Sequence, residues 1–106
     1  MIQSVAGLLE FSDDGPVTKK VTETDRAIWT LVCLRPGQAM PPFTHRRREA
    51  FVYCLQGEVR VTPGEGPAEL AAGDLAFYDG SKEAGPSNPG TADAALLVNL
   101  VRKKGD

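Results

Sequence analysis

The segment GQAMPPFTHRRREAFVYCLQG, residues 37–57, lies between two glycines and holds an apolar run, Phe51 to Leu55, that ends at Gln56-Gly57. A short run rich in aromatic and branched side chains, stopped by glycine, reads as a β-strand. The internal spacing is regular: five residues separate Gly37 from Phe43, one separates Phe43 from His45, four separate His45 from Ala50, and six separate Ala50 from Gly57. A second segment, GDLAFYDGSKEAGPSN, residues 73–88, is built the same way. After Gly73 come five residues to Asp79, one to Ser81, two to Ala84 and three to Asn88. Glycines at strand ends serve where the backbone takes positive φ or where strands pass closely.

Outward from these segments the chain continues as strands and turns. Its 11 glycines and 8 prolines cut it into short pieces. Ala27 to Leu34 is the first clear strand, closed by Arg35-Pro36-Gly37. Glu58 to Thr62 follows Gly57 and stops at Pro63-Gly64-Glu65-Gly66. Ala68 to Ala71, Leu75 to Tyr78 and Ala94 to Val101 complete the set, with a Gly/Ser/Pro-rich loop from Asp79 to Gly90. Short strands at such intervals, with turn residues between them, predict an all-β barrel or sandwich. No window keeps a 3.6-residue apolar period, so little helix is expected. The ends, Met1 to Asp14 and Arg102 to Asp106, read as polar arms or frayed tails.

The two glycine-anchored segments resemble the two motifs of the cupin family. In the first family motif a glycine is followed after five residues by His-x-His, then by a Glu and a closing glycine. In the second, a glycine leads to Pro-x-Gly, a His and an Asn. Gly37–Gly57 and Gly73–Asn88 keep these spacings without insertion, and the 15 residues from Glu58 to Ala72 match the family's short-loop members. The chain is thus similar to small single-domain cupins of the RmlC-like, type-2 barrel group, with one domain over residues 1–106. The resemblance implies an all-β cupin, or double-stranded β-helix (jelly-roll), barrel of antiparallel strands.

The resemblance also implies a metal site of three His and one Glu, and here the chain departs from the pattern. The four positions are Phe43, His45, Ala50 and Ala84. A phenyl ring and two methyl groups donate no lone pair, and one imidazole does not hold a divalent ion against water, so no cofactor is expected. One alternative stays open. Glu49 stands at the family's other permitted distance from His45, and a one-residue bulge before Gly57 would turn it inward. With Glu83 or Asp79 it would then make a His-plus-carboxylate site for Mn, Fe, Ni or Zn. A slip of one residue exchanges the faces of every side chain it moves, so the question reduces to whether Ala50 or Glu49 faces the interior.

With Ala50 inward, alternation puts Val52 and Cys54 on the same face. The expected small-molecule pocket is then lined by Phe43, His45, Ala50, Val52, Cys54 and Ala84, unless Phe43 and the alanines simply fill the barrel. His45 is also a candidate general acid or base, its ordinary pKa lying near neutrality. Glu49, Tyr53, Tyr78 and Glu83 are its only candidate helpers. Arg46, Arg47 and Arg48 beside it attract anions or stand as a solvated turn.

A formal charge of −2 and three clustered arginines offer no extended basic face, so no nucleic-acid or membrane partner is expected. The apolar stretch Val5 to Leu9 is too short for a signal core or a membrane span, and a cytoplasmic location is expected. Cys33 and Cys54 sit in separate apolar runs and read as buried thiols rather than a disulfide. Phe51 and Tyr53, opposite Val52, and Trp29 are candidates for burial in a homodimer.

Overall fold

A computed structural model describes residues 1–62 and 66–105. A 3-10 turn, η1 (Ala6–Leu8), precedes the strands β1 (Val17–Glu23), β2 (Ala27–Leu34), β3 (Arg48–Gln56), β4 (Glu58–Val61), β5 (Ala68–Ala71), β6 (Leu75–Asp79) and β7 (Ala94–Arg102). Every pairing among them is antiparallel. One sheet has the order β1-β2-β7-β3-β6 and the other pairs β4 with β5. Between them lies the main core, where Val32, Val52, Cys54 and Leu96 of the large sheet meet Val59, Val61 and Leu70 of the small one. Each of the branched side chains among these contributes about 1.5–3 kcal/mol by leaving water. This is the antiparallel all-β barrel that the two motifs implied.

The strand register settles the Ala50–Glu49 question. Ala50, Val52 and Cys54 are buried, whereas Glu49 and Tyr53 are exposed on the other face of β3. An irregularity does interrupt the β3–β7 ladder, but it lies between Cys54 and Gln56, beyond the three inward residues. Glu49 therefore faces away from the interior.

The motif glycines Gly37, Gly57 and Gly73 all have positive φ. Asn88, at the end of the second motif, is a buried latch. Its Nδ2 donates to the carbonyls of Leu34 and Ala92, both at 2.9 Å, and its Oδ1 accepts from the Gly90 N–H at 2.9 Å. Three bonds from one buried amide tie the last loop to the end of β2.

One expectation is corrected, and one strand is added. The N-terminal residues are not a frayed arm: Val5, Leu8, Leu9 and Phe11 pack against Leu31, Cys33 and Ala95. The cause lies in β2, whose Leu31 and Cys33 point away from the main core and, being apolar, need a second cover. Strand β1 also forms from a run, VTKKVTE, whose lysines hide its alternation; Val17 and Val21 join that outer cluster. The Pro63-Gly64-Glu65 part of the expected turn falls outside the described residues. Cys33 and Cys54 are both free and buried, one in each cluster. Among the described residues no helix is long and apolar enough to cross a membrane.

Candidate functional site

His45 sits in a turn leading into β3, held by backbone bonds to Gly80 at the end of β6. Its N–H donates to the Gly80 carbonyl at 2.6 Å, the Arg48 N–H to the His45 carbonyl at 3.1 Å, and the Gly80 N–H to the Arg48 carbonyl at 2.8 Å. A side chain at position 80 would collide with the His45 and Arg48 carbonyls, so this close approach requires glycine. Phe43 is paired with Ala84 through two bonds of 3.0 and 3.2 Å. Its ring meets the imidazole edge-on, with centroids 5.3 Å apart and planes at 76°.

Phe43 and His45 form part of the wall of a cavity of about 300 Å³. The sheet side is made by Thr18 of β1, Ile28, Thr30 and Val32 of β2, and Val98 and Leu100 of β7; Met40 and Pro86 close the loop side. It is a mostly apolar hollow with two threonine hydroxyls and one imidazole, at the small end of the usual range for ligand pockets.

Of the six residues expected to line a pocket, the structure brings only Phe43 and His45 to this one. Val52 and Cys54 are sealed in the core beneath β4 and β5. Ala50 is only 2% exposed, because the Tyr78 ring, from the residue opposite it on β6, packs against the same core. Ala50 instead borders a separate depression of about 270 Å³ with Glu49, Phe51, Phe77, Tyr78 and Asp79, apart from the cavity beside His45. Ala84 is buried as well and borders a separate depression with Pro42 and Thr62. The sheet residues of the cavity were missed. Their signal was the alternation Ile28-Thr30-Val32 and Val98-Leu100, which gives the inner face but not which end of it stays open.

The other candidate helpers lie elsewhere. Glu49, Tyr53 and Glu83 are exposed. Asp79 accepts from Lys103 Nζ at 2.8 Å and from the Ser81 N–H at 2.9 Å; the lysine above all holds its carboxyl well below the usual carboxylate range. Burial pushes the Tyr78 phenol up, and it likewise raises the Cys54 thiol, which stays protonated and unreactive. A three-His, one-Glu metal centre does not fit these residues. The four positions offer one lone-pair donor, and among the described residues no three His, Cys, Asp or Glu side chains converge.

Burial, and secondarily the positive charge of Arg48, holds His45 below its ordinary value of 6.5. The folded protein thus keeps a neutral imidazole where the unfolded chain would take up a proton. Stability is expected to fall as pH drops from 6.5 toward the folded-state value, and to level off below it. His45 is the only histidine, so the imidazole Hε1 NMR signal is a single titrating line. A midpoint below 6.5 is expected, and a midpoint above it would contradict this account.

Comparison with known proteins follows the same lines. The model of the cupin domain family Cupin_2 matches residues 30–100. No curated protein matches the chain in sequence. Among solved structures, the TT1209 protein from Thermus thermophilus is 31% identical, with a TM-score of 0.89 over 95% of this chain and 96% of its own. An uncharacterized conserved protein with a double-stranded beta-helix domain from Klebsiella pneumoniae is 23% identical, with a TM-score of 0.86 over 99% of this chain and 92% of its own. An RmlC-like cupin protein from Desulfovibrio desulfuricans is 19% identical, with a TM-score of 0.84 over 95% of each chain. The last two likenesses speak to the fold alone.

Proposed function

The chain belongs to the cupin domain family, and from that premise we propose that it binds a small organic molecule in the cavity beside His45, without the family's metal. The supporting observation is the cavity itself: about 300 Å³, walled by apolar side chains and carrying one imidazole as its only titratable group. Sites of this make-up orient an apolar ligand by a single polar contact.

A second reading is catalytic. An imidazole kept neutral by burial is competent as a general base, and some cupins isomerise or cyclise their substrates without a metal. Glu49 is not its helper in this arrangement, since it faces outward. The homodimer also belongs to the proposal: a second copy of the chain covers the exposed aromatic face formed by Trp29, Tyr53 and Phe77.

Two measurements test the binding reading. Protein purified without a His tag is expected to hold far less than one equivalent of Mn, Fe, Ni or Zn by elemental analysis; a stoichiometric metal would overturn the metal-free reading. Hexanamide, a small neutral amphiphile, is expected to bind in ligand-observed NMR and to lose binding in Thr30→Phe, which fills the cavity wall. Binding that survives this substitution would place the ligand elsewhere.

A further inference from the structure

Half of the chain's 12 lysines and arginines gather at one end of the barrel, around the turn that carries His45. Backbone pairing brings them together. Arg48 lies opposite Arg102 in the β3–β7 ladder, the Arg102 N–H donates to the Arg26 carbonyl at 2.8 Å, and the Lys103 N–H donates to the Arg47 carbonyl at 3.0 Å. Arg46 adjoins them in the His45 turn. Of the carboxylates at this end, Glu23 pairs with Lys20 at 2.7 Å and Asp79 with Lys103 at 2.7 Å. Asp25 and Glu49, next in sequence to Arg26 and Arg48, have no salt-bridge partner among the described residues, so positive charges outnumber negative ones. Among the described residues, none of the five arginines has a carboxylate within salt-bridge distance. In a protein with a formal charge of −2 this is a local reversal of sign.

One arginine, Arg48, lies just outside the cavity wall, against the backbone of a residue that lines it. Arg48 has the same parity on β3 as the buried Ala50 and Val52, so it leaves the strand on the inner side. Its Nη1 lies 3.4 Å from the carbonyl oxygen of Leu100, a cavity-lining residue, and its charge is felt at His45. That contact occupies one of five guanidinium donors, and the others have no hydrogen-bond partner among the described residues. Resting on the cavity reading above, we infer that the ligand is an organic anion: an apolar body in the hollow and a carboxylate, or another planar oxyanion, on Arg48. Arg26, Arg46, Arg47 and Arg102 draw it toward the cavity, and a guanidinium matches such a head group with paired hydrogen bonds.

Hexanoate and hexanamide share shape and differ in charge, so they separate the two readings. In calorimetric or NMR titrations at low salt, hexanoate is expected to bind about ten-fold more tightly than hexanamide, as a charge-assisted contact provides. The ratio is expected to fall toward one in Arg48→Gln. In the unaltered protein it should fall likewise as NaCl is raised to about 0.5 M, which shortens the screening length severalfold and needs no variant to fold. If both probes bind alike at low salt, or if Arg48→Gln keeps the preference, the anion inference is wrong and the cavity reading stands. If neither binds, the cavity reading falls and the inference falls with it.

Discussion

Replacing Gly57 by alanine is expected to destabilise the barrel by about 2–5 kcal/mol, a large share of the roughly 5–15 kcal/mol that holds a domain together. Two costs combine. The backbone at Gly57 has φ +73°, a region that strains an L side chain by about 1–2 kcal/mol. An added Cβ would also lie 2.7 Å from the Asp93 carbonyl oxygen and 2.9 Å from the Ala94 Cα, backbone atoms that cannot rotate away. Overpacking of that kind costs about 1–3 kcal/mol more. Gly73 provides the matched control, because its φ is +94° and a Cβ there would meet nothing within 4 Å. Gly73→Ala should therefore show the backbone strain alone. The comparison is read from urea midpoints at constant slope. Equal losses at the two positions would show that the close approach of the β3–β4 turn to Asp93 and Ala94 plays no part.

That contrast also shows what the sequence made legible. The spacing of Gly37, Gly57 and Gly73 disclosed the barrel because each glycine stands where the backbone requires one, and such requirements are written in residue type. Strand register was legible for a similar reason: alternation put Ala50 with Val52 and Cys54, and these three are buried. The site was harder. Whether Ala50 borders a hollow depends on Tyr78, which packs there from a strand more than twenty residues away in sequence. Volume is a property of the assembled core, not of either residue. The N-terminal cover was hidden likewise. Its apolar residues are few and irregular, and only the outward-facing Leu31 and Cys33 give them a purpose. The arginine cluster was visible as a string, but Arg26 and Arg102 join it only through strand pairing.

The N-terminal cover leads to the second large effect. It shields one half of the large sheet's outer face, over Leu31 and Ala95, and leaves the other half bare. On the bare half Leu75 is 52% and Phe77 72% exposed, with Trp29 and Tyr53 beside them. Phe51 and Phe77 stack at 6.4 Å between centroids. In their midst the Asn99 Oδ1 is buried and lacks a hydrogen-bond partner among the described residues. A contiguous aromatic patch around an unpaired amide is costly to leave in water and marks an interface. A second copy suits it, because a two-fold axis sets the patch against itself and an amide offers both donor and acceptor to its twin. The chain is expected to be a dimer by light scattering at about 10 μM, in keeping with obligate interfaces of this apolar kind. Phe77→Glu should raise the dissociation constant by about 30-fold or more, the effect of losing an aromatic hot spot. Trp29, the only tryptophan, supplies an independent readout: its emission should shift to the red on dilution as the face opens to water. A monomer at that concentration, with emission independent of dilution, would show that a second copy does not cover this face.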